Sequence, residues 1–342
     1  MSELFPMSHD EALLAQAMQR HMSANNDEPG LCVAVFRRGQ ISALVCCGLA
    51  GLPASGAPAI EADTAFRLAS VSKQFTAAAV LILRRRGRLS LEDSVKRHLP
   101  QLPPWAATMT LRHLLTHTSG VWPYEDIIPA GRSTQLTDAD VLELMAGENR
   151  TRFSAGEKFY YSNTGYALLA NVVERASGCS FPSFLKEAIF DPLAMHNTLA
   201  YVAGGPPVQK RAYGCAFRDG RWQDADQGLT SAVLGDGGIY TTAPDYALWD
   251  ASIYEETLLP RADWKEAFAY ARDNQGRALP YGLGWRLEKV SDGREIVYHT
   301  GNTTGFNSCV RRLPVAGVAV LAMANRTGTQ THKITRDILA VL

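Results

Sequence analysis

Apolar and polar positions divide the chain into three textures. From Glu11 to Met22 apolar residues recur at helical spacing, with Leu13, Leu14, Ala17 and Met18 on one side, which predicts an amphipathic helix packed on a sheet. Leu31 to Phe36 and Ile41 to Leu49 are β-prone runs around Arg37-Arg38-Gly39-Gln40, the pattern of a hairpin. A short extended stretch ends at Ala69. An apolar helix is then expected from Ser70 through Ala77, Ala78, Ala79, Leu81 and Leu83, closing with Arg84, Arg85 and Arg86 before Gly87. From Leu91 to about Ser231 prolines, short helical patterns and loops dominate, with a short helix expected in Leu111 to Gly120 that ends in a glycine turn, and helices at Asp138 to Met145 and about Thr164 to Ala176. Gly235-Asp236-Gly237-Gly238 marks the return to the first texture. Tyr246 to Tyr254 reads as helix. Tyr281 to Leu287, Glu295 to Thr300, Phe306 to Leu313 and Val318 to Ala324 read as strands, whose close turns imply antiparallel pairing, and a last helix starts near Thr331. The pattern predicts an α/β lobe made of residues 1–90 plus 235–342, interrupted by a mainly helical lobe, 91–234.

At 342 residues the chain is long enough for two lobes, and 46% hydrophobic with 20% charged residues is ordinary globular composition. A formal net charge of zero gives no electrostatic case for nucleic acid or an anionic membrane. The first 22 residues carry acidic side chains and no continuous apolar core, so they do not read as a signal peptide, and Val315 to Ala324 falls short of the roughly 18 residues that span a bilayer. A cytoplasmic protein is expected. Six cysteines form no C-x-x-C pair, and four lie in strand-like segments, so neither disulfides nor a metal site is expected. His113 and His117 have the i, i+4 spacing of a zinc pair, but no Glu follows His113 and no third ligand is near; structural or capping roles fit better.

The candidate chemistry starts at Ser70-Val71-Ser72-Lys73. A serine on the first helical turn lies near the positive end of the dipole, and a lysine three residues on shares its face, which suits a serine nucleophile activated by an amine. Spacing alone is ambiguous, because Ser183-Phe184-Leu185-Lys186 repeats it on what reads as a surface helix. Tyr161-Ser162-Asn163 lies in the loop before the Thr164 helix. Tyr161 and Asn163 could both point into a cleft, or could serve as an apolar anchor and an N-cap. His299-Thr300-Gly301 ends one strand and, alone, reads as strand end plus turn.

Taken together and in this order, the three fragments resemble the serine β-lactamase and penicillin-binding protein superfamily, in its class C-like branch of esterases, D-stereospecific peptidases or amidases, and β-lactamases. Lesser landmarks agree: Leu89-Ser90-Leu91-Glu92-Asp93, Leu114 to Gly120, Asp191 to Met195, Gly237-Gly238 and Tyr281-Gly282-Leu283-Gly284-Trp285. The resemblance implies a β-lactamase-like fold, an antiparallel sheet flanked by N- and C-terminal helices with an inserted helical lobe. It implies acyl transfer through a covalent seryl intermediate without metal or cofactor. Ser70 would be the nucleophile, and Lys73 would accept or relay its proton. Tyr161 would act as base or as the acid for the leaving group, and Asn163 would contact substrate and Lys73. The backbone N–H groups of Ser70 and Asn302 would form the oxyanion hole beside His299, Thr300 and Gly301. Two departures bear on substrate: the β-lactamases and transpeptidases typically have lysine in place of His299, and class C β-lactamases have glutamine where Glu125 aligns. The expectation is hydrolysis of carboxylic esters, small amides or D-amino acid peptides. A class C-like β-lactamase is one alternative, and a non-catalytic sensor is the other. An α/β-hydrolase is excluded, since no serine has the Gly-x-Ser-x-Gly context.

Overall fold

The computed structural model describes residues 9–21 and 26–342. The helix His9–His21 precedes β1 (Leu31–Arg37) and β2 (Gln40–Cys47), and β3 (Phe66–Arg67) leads through a single 3₁₀ turn, Ala69–Ser72, into the helix Lys73–Arg85. Helices Leu111–Leu115, Asp138–Ala146 and Asn163–Ser177 follow, then β4 (Leu199–Ala200), a hairpin of β5 (Cys215–Arg218) and β6 (Arg221–Asp224), β7 (Ile239–Thr241) and the helix Ala243–Glu255. The chain closes with β8 (Arg286–Lys289), β9 (Glu295–Thr303), β10 (Phe306–Leu313), β11 (Val318–Ala324) and the helix Thr331–Leu339.

Six strands form one antiparallel sheet in the order β2-β1-β11-β10-β9-β8. Successive side chains of a strand point to opposite faces, and β11 shows what covers each. Ala319, Leu321 and Met323 enter the core shared with the helix Lys73–Arg85, whereas Val318, Val320, Ala322 and Ala324 meet Leu14 and Ala17 of the first helix and Ile334 and Ile338 of the last. With both faces covered, the strand reads as one uninterrupted apolar run. Met22 and the side chain of Met18, expected on the first helix, lie outside the described residues.

Several elements differ from expectation. The α-helix after Ala69 starts at Lys73, because the preceding residues close tighter 3₁₀ turns. Tyr281 to Trp285 is not a sheet strand: the Gly282 N–H bonds to the Trp285 carbonyl, Tyr281 makes a single bridge with Arg286 and Gly284 sits at φ 82°, so this stretch turns on itself against the helix Lys73–Arg85 and the ladder with β9 begins at Arg286. β9 continues past Thr300 to Thr303. The short strands β3, β7 and β4 form a small second sheet, in runs too brief to show alternation. Among the described residues no helix is long and apolar enough to cross a membrane.

Candidate active site

Ser70 lies in a strained turn that β9 presses upon. Ala69, immediately before it, has φ 49°, a left-handed conformation uncommon for a residue with a Cβ. Ser308 on β10 donates its hydroxyl to the Leu68 carbonyl at 2.6 Å. A Cβ on Gly301 would stand 2.2 Å from that carbonyl and 2.3 Å from the Ser308 Oγ, so only glycine lets β9 come this close and set Asn302 beside Ser70.

Lys73, the first residue of the α-helix, is fully buried. Its Nζ donates to Ser70 Oγ at 3.1 Å, Asn163 Oδ1 at 2.9 Å and the Asp236 carbonyl at 2.8 Å, one acceptor for each N–H of an ammonium. Ser183 and Lys186 make no such pair: Lys186 binds Asp191 at 2.6 and 2.7 Å, and Ser183 Oγ accepts from the Ser180 hydroxyl.

Tyr161 and Asn163 are brought in by the start of the helix Asn163–Ser177. Its N-cap is Ser162, whose side chain accepts the Gly165 N–H, and this leaves the Asn163 amide to face the cleft. The amide bridges two charges, accepting from Lys73 through Oδ1 and donating through Nδ2 to Glu125 Oε1 at 2.9 Å. Two cations lie over the Tyr161 ring, Lys73 Nζ 5.1 Å and Arg286 Cζ 5.0 Å from its centroid.

A cleft of about 200 Å³ opens above Ser70, lined among others by Arg67, Glu125, Asn163, Asp236 and Asn302. The His299 ring is not part of its lining. It is fully buried in the wall behind, with Nδ1 donating to the Thr300 carbonyl and Nε2 accepting from the Tyr281 hydroxyl, each at 2.8 Å. A carbonyl can only accept, so the neutral ring carries its proton on Nδ1. Burial, and after it the charges of Lys73 and Arg286, hold His299 well below its usual pKa. His113 Nδ1 accepts the Thr110 N–H in a capping box, while His117 packs on Tyr161.

Sequence reasoning placed Ser70, Lys73, Tyr161, Asn163 and Asn302 where the structure brings them together. It missed Asp236, Arg286 and Arg67. Asp236 offers its carbonyl to Lys73 and its carboxyl to the cleft. That carboxyl is pushed up to about 6 by burial and then by Glu125, against the opposing pull of Lys73. Arg67 donates to the carbonyls of Gly237 and Ser231. Among the described residues no cluster of three or more His, Cys, Asp or Glu side chains could hold a metal ion.

The sequence of residues 13–342 matches the family described as Beta-lactamase. Penicillin-binding protein 4* of Bacillus subtilis is 32% identical over 267 residues, covering 74% of this chain and 59% of that protein. A D-aminopeptidase of Gluconobacter oxydans is 25% identical over 329 residues, covering 93% and 60% respectively, so the chain spans about three fifths of the length of these relatives. Among solved structures, a penicillin binding protein from Bacillus halodurans superposes with a TM-score of 0.80 at 25% identity, covering 98% of this chain and 99% of that one. Fold, ordered motifs and matched length agree, and the chain belongs to the Beta-lactamase family.

Proposed function

We propose that the chain is a serine hydrolase that forms an acyl-Ser70 intermediate from carboxylic esters and small amides, D-amino acid amides and short D-peptides among them. The observation that carries the reading is the Lys73 ammonium held at once by Ser70, Asn163 and Asp236 beneath the Tyr161 ring. Ser70 Oγ attacks the substrate carbonyl, and its proton passes to the Lys73 and Tyr161 pair in the state that holds one proton fewer, a Lys73 amine with a Tyr161 phenol or a Lys73 ammonium with a Tyr161 phenolate. The backbone N–H groups of Ser70 and Asn302 receive the oxyanion, which fits the close approach of β9 that Gly301 permits. Collapse breaks the bond to the alcohol or amine, which leaves with a proton returned from the pair. Water then adds to the acyl-enzyme and releases the acid.

Glu125 supports the choice of substrate. It lines the cleft and is steadied by Asn163, so it offers a carboxylate to an amino group on the acyl side, as an aminopeptidase or amidase requires. His299, neutral and engaged by Tyr281, supplies no cation for a β-lactam carboxylate. One observation favours a second reading. Arg286 sits against Tyr161 with its Nε buried and unpartnered, and a guanidinium placed so could pair with a carboxylate on the leaving side, as in a carboxypeptidase.

One panel tests both readings: p-nitrophenyl acetate, D- and L-alanine amide, D-alanyl-D-alanine and nitrocefin, with fluorophosphonate labelling of the same preparation. The proposal expects ester and D-amide turnover above nitrocefin in kcat/KM, lost with labelling in Ser70→Ala and kept in Ser183→Ala. Nitrocefin outrunning every ester and amide would sink it, and D-alanyl-D-alanine outrunning D-alanine amide would promote the second reading.

A further inference from the structure

Tyr161 is carried on a loop, and a loop does not by itself hold a phenol to the tolerance that proton transfer demands. His117 meets this loop on both sides of Tyr161. Its carbonyl accepts the Tyr160 N–H at 2.8 Å, its Nδ1 accepts the Ser162 N–H at 3.1 Å, and its ring lies on the Tyr161 ring with centroids 4.3 Å apart. Three contacts from one residue bracket one side chain.

The residue doing this is held at some cost. His117 has φ 56°, in the left-handed region, and is 1% exposed. Because Nδ1 accepts, the neutral ring carries its proton on Nε2, and that buried N–H has no hydrogen-bond partner among the rings of Tyr161, Tyr166 and Tyr281. Burial, and next the charge of Lys73, hold the ring well below its usual pKa, so the neutral form that accepts from Ser162 is the form present. Space filling alone does not account for an imidazole with strained backbone and an unpaired N–H. Acceptance of the Ser162 N–H beside a Tyr161 ring in tilted contact does.

We infer that His117 is a positioning residue that fixes Tyr161 for proton transfer at Ser70, an inference that rests on Tyr161 acting in catalysis. The test measures the rate at which a fluorophosphonate modifies Ser70, followed by intact mass, in His117→Gly, His117→Asn and Tyr161→Phe and in each His117 variant combined with Tyr161→Phe. Glycine removes the ring and adopts this φ freely, and asparagine restores an acceptor while tolerating the same φ. The inference expects His117→Gly to slow labelling by about 10 to 100-fold, the scale of a small misplacement of a reacting group. His117→Asn should recover most of that loss, and neither change should slow Tyr161→Phe any further. A structural role without positioning would lower the melting temperature and leave these rates alone, or would multiply with the loss in Tyr161→Phe; either result overturns the inference. If Tyr161→Phe labels at the parent rate, the catalytic reading of Tyr161 has failed first. Should the glycine variant not fold, the asparagine variant decides the matter through its smaller loss, which must vanish in the Tyr161→Phe background.

Discussion

Asp236 does two jobs with one residue: its carbonyl anchors the Lys73 ammonium and its carboxyl faces the cleft. Burial above all pushes this carboxyl up to about 6 in the native protein, from 3.8 for an ordinary aspartate. Native chains therefore keep a proton that unfolded chains release, and stability falls as pH rises from about 4 to about 6. Asp236→Asn removes that titration and leaves the carbonyl in place. The melting temperature of the variant minus that of the parent should grow between pH 4 and pH 6.5 and stay level above, corresponding to about 3 kcal/mol at most from a shift of this size. A difference independent of pH would show that the carboxyl is not perturbed. Residues at this scale were legible in the sequence when local spacing fixed them. Ser70 and Lys73 share a helical face, and Tyr161 and Asn163 enter together at a helix start. Asp236 and Arg286 reach the site through contacts with partners far away along the chain, 163 residues in the case of Lys73 and Asp236, and no local pattern announces them.

At the scale of elements the short turn Leu234–Gly237 holds the site together. Its successive carbonyls accept from Thr76 at Gly235 (2.7 Å), from Lys73 at Asp236 (2.8 Å) and from Arg67 at Gly237 (3.2 Å). Asp138, from the helix Asp138–Ala146, takes the N–H groups of Leu234 and Gly235 on its two carboxyl oxygens at 2.8 and 3.1 Å. The turn is thus pinned from the nucleophile side and from the helix Asp138–Ala146 at once. Asp138→Ala should destabilise the protein by about 1–3 kcal/mol, the range for leaving buried donors unpaired, and should also slow Ser70 labelling because the Asp236 carbonyl loses its support. A lower urea midpoint with unchanged labelling would mean that the three carbonyl bonds suffice without Asp138. In the sequence this turn read only as a glycine-rich boundary. Its helix is one turn long, and a glycine at 235 is demanded by the Tyr166 carbonyl, 2.3 Å from where a Cβ would stand, a contact that composition does not reveal.

For the whole molecule, stability and chemistry are set in different places. Arg312 on β10 and Asp250 on the helix Ala243–Glu255 form an ion pair at 3.1 Å with neither side chain exposed, the guanidinium lies 4.6 Å from the Trp285 ring centroid, and Asp250 also accepts the Gly39 N–H. Removing one partner strands the other charge in the core. Asp250→Ala should therefore cost about 3–5 kcal/mol of stability while Ser70 labelling of the folded fraction stays at the parent rate. A loss below about 1 kcal/mol would show that Arg312 is solvated on its own. The architecture of helices around an antiparallel sheet was readable because β1 and β11 are near-continuous apolar runs; the strand order was not, since β1 lies beside β11 rather than beside β3. That neighbour relation matters while the protein is being made. β1 finds its second sheet partner only when residues 318–324 have been synthesised, on the order of tens of seconds later at ordinary elongation rates. The face of the β1 and β2 hairpin that carries Val33 and Val35 still lacks the helix Thr331–Leu339 at that point, and the nucleophile turn stays unfinished until β9 has been made. A nascent chain stalled after Tyr161 and before β9 should carry Ser70, Lys73 and Tyr161 and yet have no serine that a fluorophosphonate labels.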